Sequence, residues 1–449
     1  MGVRRRRISL LLPLLASLAC ESSQPSVASS NPPVATQTEE PEASTTPPES
    51  SVQSPAGVDL AKLARVKARS LAIADELATA RDLERKKDFA VQLIDRQGVR
   101  DFVVTEMYED MTPERMRLLG RIESGFGVLP LGSDAERILL DLYEEGVLGI
   151  YDPKRETLLI GDYVEEEMLD MVVGHEIAHA LQDMHFDLEA LQKPVDGQSD
   201  RDAAKTFLVE GGAQAAFTLW AMRGGPSPED ISRQRIMANN VLAMAGEVSN
   251  YGILVRMLQM PYTDGTATVL EGVGVRGWSL IDDLYARNPA SSEQMLHVDK
   301  LLADEQPRPI TIDVDKAGAL FPGHSKVWED ELGEAFLLAA LAECENPTDA
   351  RDAAAGWDGD RYLAFDRDDG PALAPVLVGM IAWDSTDDAK DFERSFERYL
   401  KETQTQPYLL DRRGDRVLYA LQLPEDLSVS PRDLWRSVSS GKRPDGQAR

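Results

Sequence analysis

One run restricts the fold of this chain more than any other: Met171-Val172-Val173-Gly174-His175-Glu176-Ile177-Ala178-His179-Ala180-Leu181-Gln182-Asp183. It is apolar apart from two histidines, a glutamate and the polar pair at its end. It lies in a helix predicted over about 165–184, opened by Glu165-Glu166-Glu167, whose charges suit the positive end of the helix dipole. His175 and His179 are four residues apart, so their imidazoles leave one helix face a turn apart and can share a metal ion. Glu176 stands beside that face. It can take a proton from water on the metal without being a ligand itself. Zinc suits such a site, and a catalytic zinc needs a third protein ligand and one open position.

Two residues are candidates for that third ligand. Glu210 sits in Phe207-Leu208-Val209-Glu210-Gly211-Gly212-Ala213-Gln214-Ala215, an acid within an otherwise apolar helix and 31 residues beyond His179. A buried carboxylate there is costly unless it is paired or metal-bound. Gly211 and Gly212 would let another backbone, or the metal-bearing helix, come close. The rival is His185, ten residues after His175, which is the metzincin spacing; Met260-Pro261-Tyr262 imitates a Met-turn as well. That pattern has a glycine where this chain has Gln182, so the helix is expected to run on, and Glu210 is the preferred ligand. Asp183 is a further group able to orient an imidazole.

His-Glu-x-x-His on one helix and a glutamate from the next resembles the gluzincin metallopeptidases. More closely, His175-Glu176-x-x-His179-Ala180-Leu181-Gln182-Asp183 followed by Val209-Glu210-Gly211 resembles a set of secreted bacterial lipoproteins. The likeness extends to Pro261-Tyr262-x-x-Gly265 and to Ser291-Ser292-Glu293-Gln294-Met295-Leu296-His297, and covers about 145–300. It implies a zincin-like core, a peptide or protein substrate and one zinc per chain. By the same resemblance, the strand near 147–151 or 157–160 is the sheet edge along which an extended peptide pairs, and Tyr262 and His297 are candidate donors to the oxyanion.

The N-terminus reads as an address. Arg4 to Arg7 precede an apolar stretch, Ile8 to Ala19, too short to span a bilayer. Its end, Ala16-Ser17-Leu18-Ala19-Cys20, resembles the lipobox of bacterial lipoproteins, with Ser17 where leucine is usual. The expectation is an extracytoplasmic protein anchored to a membrane by lipid on Cys20. Residues 21–57 are rich in Ser, Thr, Pro and Glu and poor in large apolar side chains, and are read as a disordered tether. The net charge of −29, from 48 Lys+Arg against 77 Asp+Glu, argues against a nucleic-acid partner. With two cysteines, Cys20 and Cys344, a disulfide scaffold is excluded.

Helices are predicted over 58–86, 98–110, 112–125 (with Thr112-Pro113 as cap and first turn) and 134–145, and a short strand over 89–94. Val147 to Tyr151, an Asp152-Pro153 turn and Thr157 to Ile160 read as a hairpin. Residues 201–345 read as mainly helical. From Gly356 the texture becomes strand, strand, helix and two closing strands.

The whole is an α+β chain: signal 1–19, tether 20–57, a mainly helical zinc metallopeptidase domain 58–345 with an edge hairpin before its active-site helix, a C-terminal α+β region 346–440 and a flexible tail 441–449. The expected activity is peptide hydrolysis by zinc-activated water with Glu176 as general base. The alternative is a surface lipoprotein for binding or scaffolding whose zinc site is structural or silent; a third is a zinc hydrolase of non-peptide amides or esters.

Overall fold

The computed structural model describes residues 59–444. The signal, Cys20 and the tether lie outside the described residues, as does the end of the tail. The described residues form an α+β fold, with three sheets among their helices. No helix among the described residues is long and apolar enough to cross a membrane.

The first helix, Leu60–Arg81, starts where the Asp59 carboxylate accepts from the Ala61 and Lys62 amides. Strands β1 (Ala90–Ile94), β2 (Gly149–Asp152) and β3 (Thr157–Gly161) form a small sheet in the order β1-β3-β2. β2 and β3 are antiparallel, Tyr151 opposite Leu158, across a turn in which Asp152 accepts from the Lys154 and Arg155 amides. β1 runs parallel to β3, so β3 is central and β2 is an edge. The motif helix, Leu169–Phe186, packs on this sheet, its Val172, Val173, Ile177 and Leu181 sharing a core with Val91, Leu93, Leu158 and Ile160 and with Val66, Ile73 and Leu77 of the first helix. The partner helix, Ser199–Met222, crosses the motif helix and carries its own apolar residues into a second, larger core.

The structure differs from the sequence reading in three places. Met260-Pro261-Tyr262 is no turn: a π-helical segment, Pro261–Gly265, joins Gly252–Met260 to Thr266–Arg276 without a break. Nor does the architecture change at residue 345. Strand His324–Asp330 pairs with Trp357–Arg367, forming the edge of a five-stranded antiparallel sheet completed by Val376–Trp383, Arg416–Leu421 and Leu409–Arg413. Alternate residues serve its two faces. Tyr362, Ala364 and Tyr419 face the large helical core, while Leu363, Phe365 and Leu418 pack against Phe321, Ile312 and Trp435. A helix, Gly333–Leu341, enters the body between the first two strands. The local signal of strand 324–330 was masked by its charge, since only Val327 and Trp328 are apolar there. The tail begins later than 441, because the Gly441 amide donates to Pro309 and the Arg443 guanidinium to Asp358.

The junction of sheet and helical body is rich in buried acids. Asp200 accepts from the Ser292 amide and hydroxyl, and Asp360 from the Leu332 and Gly333 amides and the Trp357 indole. Burial pushes the Asp200 carboxyl up to about 7 and the Asp360 carboxyl up to about 6. Glu123, in a nearby apolar cavity, is likewise pushed up to about 7 by burial. A carboxyl with a raised folded pKa binds its proton more tightly folded than unfolded, so stability falls as pH rises through that window. Thermal melts should therefore show the protein more stable near pH 5 than near pH 8, with Asp360→Asn flattening the slope. A melting temperature that rises over that interval would contradict the argument.

Candidate metal centre

The motif helix positions its two histidines on the face that meets the partner helix. His179 Nε2 lies 3.0 Å from His175 Nε2, and Glu210 Oε2 lies 3.1 Å from His179 Nε2 and 3.3 Å from His175 Nε2. All three residues are buried. Ligand atoms about 2.0–2.1 Å from a tetrahedral zinc stand about 3.3 Å from each other. The three donors thus fit one ion, and their chemistry, two imidazoles and a carboxylate, is that of a catalytic zinc site. Burial disfavours charge on Glu210, yet the two imidazoles hold its carboxyl down to about 2; burial likewise opposes charge on His179, but Glu210 raises it to about 9. Burial lowers His175 instead.

The third partner is Glu210, and His185 is elsewhere. The motif helix runs through Gln182 to Phe186, and the His185 ring donates from Nε2 to the Glu84 carbonyl at 2.8 Å. Gly211 and Gly212 explain how the helices meet. A Cβ on Gly211 would lie 2.5 Å from the Gly265 carbonyl carbon, and one on Gly212 would lie 2.5 Å from the Tyr285 hydroxyl and 3.0 Å from Gln182 Nε2. One glycine admits the π-helical segment; the other admits a side chain of the motif helix.

Glu176 is fully buried, and among the described residues neither carboxylate oxygen has a hydrogen-bond partner of normal geometry. Burial pushes its carboxyl up to about 8, with His179 and a weaker contribution from the Tyr151 backbone acting in the opposite direction. The edge strand lies alongside: a Cβ on Gly149 would sit 3.1 Å from Glu176 Oε1. Tyr262, in the π-helical segment, rests against an imidazole of the three-donor cluster, its ring centroid 5.6 Å from that of His175.

Other expected groups have polar partners of their own. His297 Nε2 is 2.7 Å from Glu334 Oε1, in the acidic junction. Asp183 orients no imidazole: it accepts from the Tyr151 hydroxyl at 2.9 Å and from the Leu188 amide at 3.0 Å, tying the motif helix to β2 and to the next turn. The group on His179 is Gln182, whose Oε1 accepts from Nδ1 at 3.0 Å. Sequence reasoning treated Gln182 only as a departure from a metzincin glycine, although its position three residues after His179 puts it on the same face. Tyr285, which contacts Gln182, carried no signal. Gln214, one turn past Glu210, approaches His175 closely enough to favour its charged form, though no hydrogen bond of normal geometry reaches Nδ1.

A second set of carboxylates, Glu293, Glu305 and Asp384, also converges. The Lys300 ammonium lies among them, 3.0 Å from Glu293 and 2.5 Å from Asp384 and bonded to Glu305 as well, so the chain supplies that cation itself.

Residues 321–429 match a family described as a domain of unknown function (DUF8575). That span covers all five strands of the C-terminal sheet and none of His175, Glu176, His179 and Glu210. No curated protein and no solved structure matches the chain.

Proposed function

We propose that this chain is a zinc metallopeptidase of gluzincin type, with a zincin-like core, held outside the cytoplasm by a lipid on Cys20. The observation that carries the reading is the mutual spacing of 3.0–3.3 Å among three buried donors, with an unpartnered glutamate beside them. His175, His179 and Glu210 would hold one zinc per chain. Zinc bound there supplies a Lewis acid and brings the pKa of water down to about 7. Glu176 takes the proton of the attacking water on a carboxylate oxygen and then delivers it to the departing amine nitrogen. A cation held by the three donors would favour the charged carboxylate that accepts the proton, and burial favours the protonated form that hands it on. Strand β2, an edge beside Glu176, aligns an extended peptide so that a substrate carbonyl comes to the glutamate. Tyr262, packed on His175, is the candidate donor to the oxyanion. His297, engaged with Glu334, is the weaker one.

The test is a chelation experiment on the mature protein with denatured casein and a peptide library. Hydrolysis should stop with a chelator and return with added zinc. A zinc-loaded protein that cleaves no peptide would favour the binding or scaffolding lipoprotein, and one that cleaves only small esters or amides would favour the non-peptide hydrolase.

A further inference from the structure

We infer that Gln182 is a positioning residue: it sets the tautomer of His179 and, with Tyr285, locks the helix that carries Glu210 to the helix that carries the histidines. The inference rests on the metal reading above. The contacts are the Nδ1–H of His179 donating to Gln182 Oε1 at 3.0 Å, and Gln182 Nε2 donating to the Val209 carbonyl at 3.1 Å and to the Tyr285 hydroxyl at 2.7 Å. Tyr285 in turn donates to the Leu208 carbonyl at 3.2 Å.

The orientation of the Gln182 amide follows from these partners. The Val209 carbonyl can only accept, so the NH2 end of the amide must face it, and the oxygen end must face His179. An acceptor at Nδ1 requires the proton there. It therefore leaves the Nε2 lone pair of the neutral ring directed at His175 and Glu210, as a metal ligand needs. Both backbone acceptors, Leu208 and Val209, immediately precede Glu210. The same amide that orients one ligand thus fixes the height of the helix bearing another. Gln182, Tyr285 and His179 are all buried, so no water competes for these bonds. The close fit at Gly212, where any Cβ would collide with both side chains, shows that the partner helix is built around this pair.

Two substitutions separate positioning from simple packing. Gln182→Glu keeps an acceptor for Nδ1–H but loses both amide donations, whereas Gln182→Met keeps the volume and loses the acceptor as well. Three quantities are read: zinc affinity by chelator competition, the His179 Nδ1–H resonance by 15N-edited NMR in metal-free and zinc-loaded protein, and the melting temperature. Gln182→Met should lose the exchange-protected Nδ1–H resonance and bind zinc about 10–100-fold more weakly, the range for groups that hold a ligand in place. Gln182→Glu should keep the resonance and lose only a few-fold in affinity, even though it melts lower. If Gln182→Glu binds zinc as poorly as Gln182→Met, or if Gln182→Met changes the melting temperature alone, the positioning role is overturned. Should either variant fail to fold, Tyr285→Phe tests the clamp: it removes one of the two acceptors holding the amide and should weaken zinc binding by a few-fold, with unchanged affinity counting against the proposal. Wild-type protein that shows the protected resonance but takes up no zinc would instead overturn the metal reading, leaving the Gln182–His179 bond intact.

Discussion

Glu176→Gln is expected to retain about one zinc per chain while peptide hydrolysis falls by about 10²–10⁴-fold, the usual contribution of a positioned general base. Retention of metal follows from the donor set: the three convergent atoms belong to His175, His179 and Glu210, and Glu176 is not among them. The side chain is fully buried, and neither of its oxygens is engaged in a hydrogen bond of normal geometry. The isosteric amide therefore breaks no such bond, and a lost rate cannot be traced to a lost fold. The check is metal content after dialysis alongside initial rates on a peptide substrate. An unchanged rate would remove Glu176 from the mechanism.

Glu210→Ala should lose zinc at micromolar free metal, and His185→Ala should keep it. With Glu210 gone, two neutral imidazoles remain where three donors had converged, and the buried negative charge that attracts the cation disappears. Loss of a direct ligand should exceed the about 10–100-fold cost of disturbing a group that only supports one. His185 is bonded to the Glu84 carbonyl and is not among the three convergent donors. Both variants are compared with wild type by chelator competition, with circular dichroism of the metal-free proteins as a control for folding. Zinc kept without Glu210 and lost without His185 would transfer the site to a metzincin-like arrangement.

The C-terminal sheet has a different status from the metal-facing helices. The domain match covers it, and its first face is packed into the helical body through Tyr362, Ala364 and Tyr419. The helix Gly333–Leu341 and the acids Asp200 and Asp360 bind the two parts together. The sheet is therefore part of what holds the partner helix in place, since Asp200 lies in the first turn of that helix and Ser199 donates to Asp330 of the sheet edge.

Local chemistry made much of this protein readable. Two histidines four residues apart share a helix face because the backbone repeats every 3.6 residues, whatever surrounds it. The hairpin at Asp152-Pro153 and the Thr112 cap are legible for the same reason: each depends on neighbours a few residues away. Glu210 was found by the cost of leaving an acid in an apolar helix. What that cost did not reveal was the contact itself. Glu210 reaches the histidines because its helix packs on the motif helix at Gly212 and on the π-helical segment at Gly211, a matter of many weak contacts between segments that no local pattern encodes. The identity of the sheet edge was likewise undecided until β1, far upstream, paired with β3 and left β2 at the edge of the strand order. The extent of the C-terminal sheet waited on strand His324–Asp330, whose charged residues hide it until Trp357–Arg367 pairs with it. Gln182 and Tyr285 stand 103 residues apart. Spacing along the chain determined which groups share a helix face; tertiary packing decided which distant groups complete the site, because those partners are chosen by shape and burial rather than by periodicity.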